Sequence, residues 1–138
     1  MRKRLINVIV IFIAVLIACS FITYRITANK DSTDKTFEHT IQEKLNNITN
    51  PEDIIVSVSS NPYDYIKGAD SHEDYKYIVS QGKKSLDYML NKFANSNKNG
   101  LEEYIMAIAC SEILKENPSF KDWASGRGWF ANYTKANK

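Results

Sequence analysis

Two cysteines, three prolines and five glycines are all that the 138 residues contain. Cys19 lies inside an apolar N-terminal run, which leaves Cys110 as the one thiol beyond it, so no disulfide forms within the outer part. Cys110 itself falls in the apolar string of residues 104–110, where it reads as a small buried hydrophobe and not as a reactive thiol. Charge of one sign is lacking too. Three of the 18 basic residues are Arg2, Lys3 and Arg4, leaving 15 against 16 acids from Arg25 onward. That near-neutral balance gives no basic footprint for nucleic acid, and no acidic tail is present. Nor is there a His-Glu-x-x-His pattern, a glycine-rich phosphate loop or a nucleophile elbow, so the residues support neither catalysis nor a bound metal or cofactor.

What the chain does have is one long hydrophobic run. Residues 5–24 carry no charge and are interrupted only by Asn7, Ser20 and Thr23. As a helix the run is about 30 Å long, the thickness of a bilayer's hydrocarbon core. Arg2, Lys3 and Arg4 hold its start on the cytoplasmic side, which predicts the remainder outside the cytoplasm. Two anchors fit residues 1–24. Leu16-Ile17-Ala18-Cys19 resembles a bacterial lipobox, which makes Cys19 a candidate for lipidation after cleavage. Phe21, Ile22 and Tyr24 instead extend the run to full spanning length, with Tyr24 and Arg25 at the interface, as an uncleaved signal anchor requires. Residues 25–35 are polar and aperiodic, as befits a tether.

From residue 36 to 138 the pattern predicts one small, irregular, all-α domain. Phe37, Ile41, Leu45 and Ile48 form a stripe at steps of four, four and three. Asn50-Pro51-Glu52-Asp53 and Asn61-Pro62-Tyr63-Asp64 each combine a capping residue, a proline and first-turn acid, and so predict helix starts. The β-branched run from Ile54 to Val58 favours a strand, but the start signal before it is the more specific and predicts a short helix. Gly68 is expected to close a turn. Ser71-His72-Glu73-Asp74 predicts a third start, and Gly82 the end of that helix. Leu86, Met89, Leu90 and Phe93 follow at core-facing spacing. Residues 101–115 are apolar on all sides at their centre and predict the central helix. Asn117-Pro118 breaks it, and Trp123, Trp129, Phe130 and Tyr133 complete the domain. The pattern from Tyr75 to Leu114, helix, tight turn, helix, polar turn, helix, resembles the antiparallel helix pairs of HEAT-type repeats.

The stretch from residue 61 to 133 resembles an uncharacterised exported or membrane-bound domain of Gram-positive bacteria, an origin with which the abundance of Asn, Lys, Ile and Tyr agrees. The likeness rests on Asn61-Pro-Tyr-Asp-Tyr-Ile66, on Gly82 followed by Leu86 to Phe93, on Asn99-Gly-Leu-Glu-Glu-Tyr-Ile-Met-Ala-Ile-Ala-Cys110 and on Trp123-Ala-Ser-Gly-Arg-Gly-Trp-Phe130. It implies a helical domain outside the cell and carries no activity or site residues.

Few residues stand out as functional. His72, Glu73 and Asp74 are consecutive on a helix and point apart, and His39 with Glu43 reads as a surface pair. Lys83, Lys84, Lys92 and Lys98 read as a solvated face. Ser125 and Arg127, between two tryptophans, are candidates for holding an anion, although Ser125 as a helix cap with Trp123 and Trp129 pinned to the core explains them more simply. Tyr63, Tyr65, Tyr75, Tyr77, Tyr88 and Tyr104 are more phenols than a small core readily satisfies, so some are expected at the surface, with Tyr63, Tyr65 and Tyr77 as candidate partner contacts. Together these features predict a binding or adaptor module tethered to the cell membrane, meeting a protein partner in the cell envelope. An immunity-type protein against a membrane-acting toxin, and a small-molecule receptor or enzyme with a cleft near Trp123 to Trp129, are the alternatives.

Overall fold

Asn61, Asp53 and Ser125 each accept a hydrogen bond from a backbone amide two or three residues on, and each thereby starts a helix. In the computed structural model, which describes residues 32–116 and 123–137, the chain is all-helical, with no strand among the described residues. The expected anchor, the expected tether up to residue 31 and Cys19 lie outside the described residues. Among those described, no helix is long and apolar enough to cross a membrane. The chain divides into two units, Met1–Glu38 and His39–Lys138. Residues 32–38 of the first unit are the opening turns of helix α1, which runs over residues 32–49.

Within the second unit, Ile41, Leu45 and Ile48 of α1 are fully buried, as their spacing predicts. The start signal after α1 works differently from expectation. Asn50 turns its side-chain amide back onto the Asn46 carbonyl at 2.9 Å, so it ends α1, and Asp53 caps α2 (Ile54–Ser57) in its place. Asn61 and Pro62 do open α3 (Pro62–Lys67). Gly68 closes α3 and leads directly into α4 (Ala69–Ser80), which therefore starts two residues before Ser71. Ser71 is no cap: its hydroxyl is buried and donates to the Tyr65 carbonyl.

Gly82, at φ 55°, makes the left-handed turn between α4 and α5 (Lys83–Asn95), a conformation that disfavours any side chain. Leu86, Met89 and Phe93 of α5 are buried. The Gly100 amide donates to Glu103 Oε2 at 2.8 Å at the start of α6 (Leu101–Ile113). Residues 105–110 of α6 are buried without a break, and α3, α4, α5 and α7 (Gly126–Ala136) all pack on this helix. A helix apolar all round is one surrounded by others.

Side-chain bonds fasten α1 to this core. Lys44 pairs with Asp74 of α4 at 2.7 Å, and Asn47 donates to the same carboxylate at 2.9 Å. Lys92, expected in solvent, is instead half-buried and donates to Gln42 of α1 and Glu102 of α6, while the Tyr88 hydroxyl donates to Gln42 at 2.9 Å. The amphipathic stem of Lys92 lies over the core and its ammonium finds two acceptors on neighbouring helices.

Candidate functional site

A four-residue helix cannot hold itself together, because nucleation fixes several dihedrals for one bond. α2 is held from both ends: the Asp53 carboxylate accepts the Ile55 amide at 2.8 Å, and the Tyr65 hydroxyl reaches the carbonyls of Ser57 at 2.9 Å and Ser59 at 3.2 Å. One apolar side chain of α2, Val56, turns in toward Gly68. The others turn out. Ile54, Ile55 and, just past the helix end, Val58 are 78%, 81% and 77% exposed, and no residue of α2 is buried. Burying one such side chain is worth roughly 1.5–3 kcal/mol, so three left in water on one short segment mark a contact surface. In sequence, the segment that holds this ridge carries one sign of charge. From residue 50 to 66 there are three acids, Glu52, Asp53 and Asp64, and no basic residue.

A second feature is a cleft of about 530 Å³ lined by residues of α3, α4 and α6. Ile66, Tyr75 and Val79 give it apolar walls, and Lys67, His72, Lys76 and Glu112 give it polar ones. His72 Nδ1 faces the Ile66 carbonyl at 3.2 Å, so that nitrogen carries the hydrogen and Nε2 is left over. The Tyr75 hydroxyl donates to Glu112 Oε2 at 2.7 Å. Burial first, and the Glu112 carboxylate second, push the Tyr75 phenol far above its ordinary range, which keeps it a neutral donor.

Of the three candidate contact tyrosines, one lies away from the surface. Tyr65 is 6% exposed with its hydroxyl satisfied by two carbonyls, so it braces α2 and offers no surface for a partner. Tyr63 and Tyr77 are half-buried, with Lys67 over one ring at 6.0 Å and Lys44 over the other at 4.7 Å. Their hydroxyl-bearing neighbours, Tyr75 and Tyr88, donate to Glu112 and Gln42. Phenols therefore reach the core boundary here because acceptors are waiting on the facing helix.

Ser125 and Arg127 are equally engaged. The Ser125 hydroxyl accepts the Gly128 amide at 3.1 Å. Arg127 Nη1 donates to the carbonyls of Ser96, at 2.7 Å, and Phe93, which close the C-terminal end of α5, and its guanidinium lies 5.4 Å from the Phe130 ring centre. The tryptophans pack: Trp129 lies 5.8 Å from Phe93 and 5.4 Å from Tyr133, and donates through Nε1 to Glu116 at 3.0 Å, while Trp123 lies 5.0 Å from Tyr104. Of the His72, Glu73 and Asp74 trio, one lines the cleft, one pairs with Lys76 and one with Lys44. Among the described residues no group of three or more His, Cys, Asp or Glu is placed to hold a metal ion. Cys110 is fully buried, and burial, with Glu116 adding to it, pushes its thiol far up, away from the reactive thiolate.

No protein-family model matches the chain, and neither a curated protein nor a solved structure matches it. The ridge of Ile54, Ile55 and Val58 is the residue set hardest to read from sequence. Its one signal is an apolar run enclosed by two Asn-Pro starts so close together that the helix between them has no room for a buried face.

Proposed function

We propose that this chain is a membrane-anchored, extracytoplasmic binding or adaptor module that acts by protein contact, with the α2 ridge as its contact surface. The observation that carries the reading is the exposure of Ile54, Ile55 and the adjoining Val58 on a short helix whose end is braced by Tyr65. A braced apolar ridge binds at low entropic cost, since its geometry exists before the partner arrives. Glu52, Asp53 and Asp64 around it favour a partner groove with apolar walls and a basic rim. The uncharged run of residues 5–24 behind Arg2, Lys3 and Arg4 supplies the anchor and the outward topology, and residues 25–35 the tether. The resemblance to exported Gram-positive domains agrees with that location, and the tight turn at Gly82 joining α4 to α5 agrees with a HEAT-like pairing of helices.

The test is crosslinking and capture of the full chain from its native membrane, with Ile54→Asp and Ile55→Asp as variants. Each should leave the melting temperature unchanged and weaken capture by about 1–2 kcal/mol or more. Capture that survives both changes would remove α2 as the contact surface.

A further inference from the structure

The loop of residues 96–100, which joins α5 to α6, carries the dipeptide Asn99-Gly100, and of the 13 asparagines in the chain Asn99 alone precedes a glycine. Glycine matters at that place because it has no Cβ, so its main-chain nitrogen can approach the side-chain carbonyl carbon of the residue before it. Both residues are exposed and lie outside any helix, so solvent water reaches them. Two groups supplied by the fold stand on the atoms concerned. The Gly100 amide donates to Glu103 Oε2 at 2.8 Å, and Glu103 is itself only 5% exposed. The Arg127 amide, at the start of α7, donates to Asn99 Oδ1 at 3.3 Å. A carboxylate thus faces the hydrogen of a nucleophile, and a donor faces the oxygen on which negative charge develops when that nucleophile attacks.

We propose that Asn99 is a self-modification site, at which the fold promotes loss of ammonia through a cyclic imide. The Gly100 nitrogen attacks Asn99 Cγ while its proton passes to Glu103, and the Arg127 amide stabilises the oxyanion on Oδ1. The bond from Cγ to the side-chain nitrogen then breaks. Glu103 returns the proton to that nitrogen, so ammonia leaves and the carboxylate is restored. Solvent water opens the five-membered imide at one of its two carbonyls. Opening at Cγ gives aspartate at position 99, and opening at the main-chain carbonyl gives the isoaspartyl form, whose main chain runs through the former side chain and is one carbon longer. In both products water has replaced ammonia, and a negative charge has been added where the α5–α6 loop meets the start of α7. The proposal does not rest on the α2 ridge or on its partner.

The experiment incubates the full chain in mild detergent at neutral pH beside a synthetic peptide of residues 95–105. Tandem mass spectrometry follows Asn99, and enzymatic isoaspartyl methylation measures the isomer. Asn99 should convert first among the asparagines, and about tenfold faster in the folded chain than in the peptide. Glu103→Gln keeps an acceptor for the Gly100 amide but cannot take its proton, and should slow conversion about tenfold. Gly100→Ala should keep the fold, since φ of −121° suits any residue and the added Cβ comes no closer than 3.6 Å to Glu103 Oε2, yet it should slow conversion sharply by crowding the attack. Conversion no faster in the folded chain than in the peptide, or unchanged by Glu103→Gln, would overturn the assignment, as would an Asn99 that stays intact.

Discussion

Gly126 is where α7 touches the central helix most closely. It is buried, it is the first residue of α7, and a Cβ added there would lie 2.2 Å from the Glu103 carbonyl oxygen, 2.3 Å from its carbon and 2.8 Å from the Tyr104 nitrogen. Those atoms are backbone of α6, so no side chain can swing aside. Gly126→Ala must therefore separate the two helices or bend one of them. Overpacking a core costs about 1–3 kcal/mol, and an obstacle made of main chain puts this change at the upper end, about 3 kcal/mol. For a domain of this size that loss lowers Tm by roughly 10–20 °C. Gly128 is the internal comparison, since a Cβ there meets nothing closer than the Ser125 hydroxyl oxygen at 3.4 Å. Gly128→Ala should fall within about 1 kcal/mol of the parent, the helix preference of alanine offsetting a slight crowding of the cap. Thermal unfolding of the full chain in mild detergent, followed through the fluorescence of Trp123 and Trp129, reads both changes at the helix concerned. Equal melting temperatures for Gly126→Ala and the parent would show that α7 does not sit against the α6 backbone, and the packing described for the C-terminal helix would be wrong.

Other perturbations test separate parts of the molecule. Ile108→Asp puts a carboxylate without a partner into the buried face of α6 and should cost about 4 kcal/mol or more, seen as loss of the cooperative unfolding transition; unchanged melting would take that residue out of the core. Burial alone raises the Asp74 carboxyl, but the hydrogen bonds from Lys44 and Asn47 and the Lys44 charge outweigh it and hold the group below its ordinary value of 3.8. Its contribution is thus complete above that value and is lost as pH falls through the lower folded-state value, so Asp74→Asn should reduce stability at neutral pH and flatten the acid limb of a stability-against-pH curve. Replacing Cys19 with Ala separates the two anchors: loss of a lipid mass with accumulation of precursor identifies a lipoprotein, and unchanged mass with unchanged membrane retention identifies a spanning helix.

Elements whose signal is repeated are legible in the amino-acid sequence. The stripe of Ile41, Leu45 and Ile48, the start at Asn61-Pro62, the turn at Gly82 and the wholly apolar centre of α6 each rest on several residues that agree. Single-residue signals are less secure, because a side chain that can cap one helix can also serve its neighbour. Asn50 bonds backward to Asn46 and leaves the capping of α2 to Asp53. Ser71 spends its hydroxyl on Tyr65 of the preceding helix. Lys92 and Tyr88 are drawn in for a related reason: whether a polar tip is buried depends on an acceptor on another helix, here Gln42 for both, and sequence distance says nothing about that.

The short helix α3 explains why the ridge and the cleft exist in one small domain. Three consecutive residues point to three different tasks: Tyr65 braces α2 through its hydroxyl, Ile66 lines the cleft wall, and Lys67 stands at the cleft rim. The carbonyls of the first two are used as well, since Tyr65 accepts from Ser71 and Ile66 faces the His72 ring, which locks the start of α4 against α3. A helix ending at Gly68 leaves the carbonyls of its last turn, these two among them, without intrahelical partners, and the His72 ring that answers one of them lines the cleft. The same unfinished helix end that lets α4 begin at once thus orients His72, while the hydroxyl of Tyr65 holds Ile54 and Ile55 outward on α2. A longer α3 would satisfy those carbonyls internally and would remove the bond that orients His72, while the Tyr65 hydroxyl would still reach the end of α2.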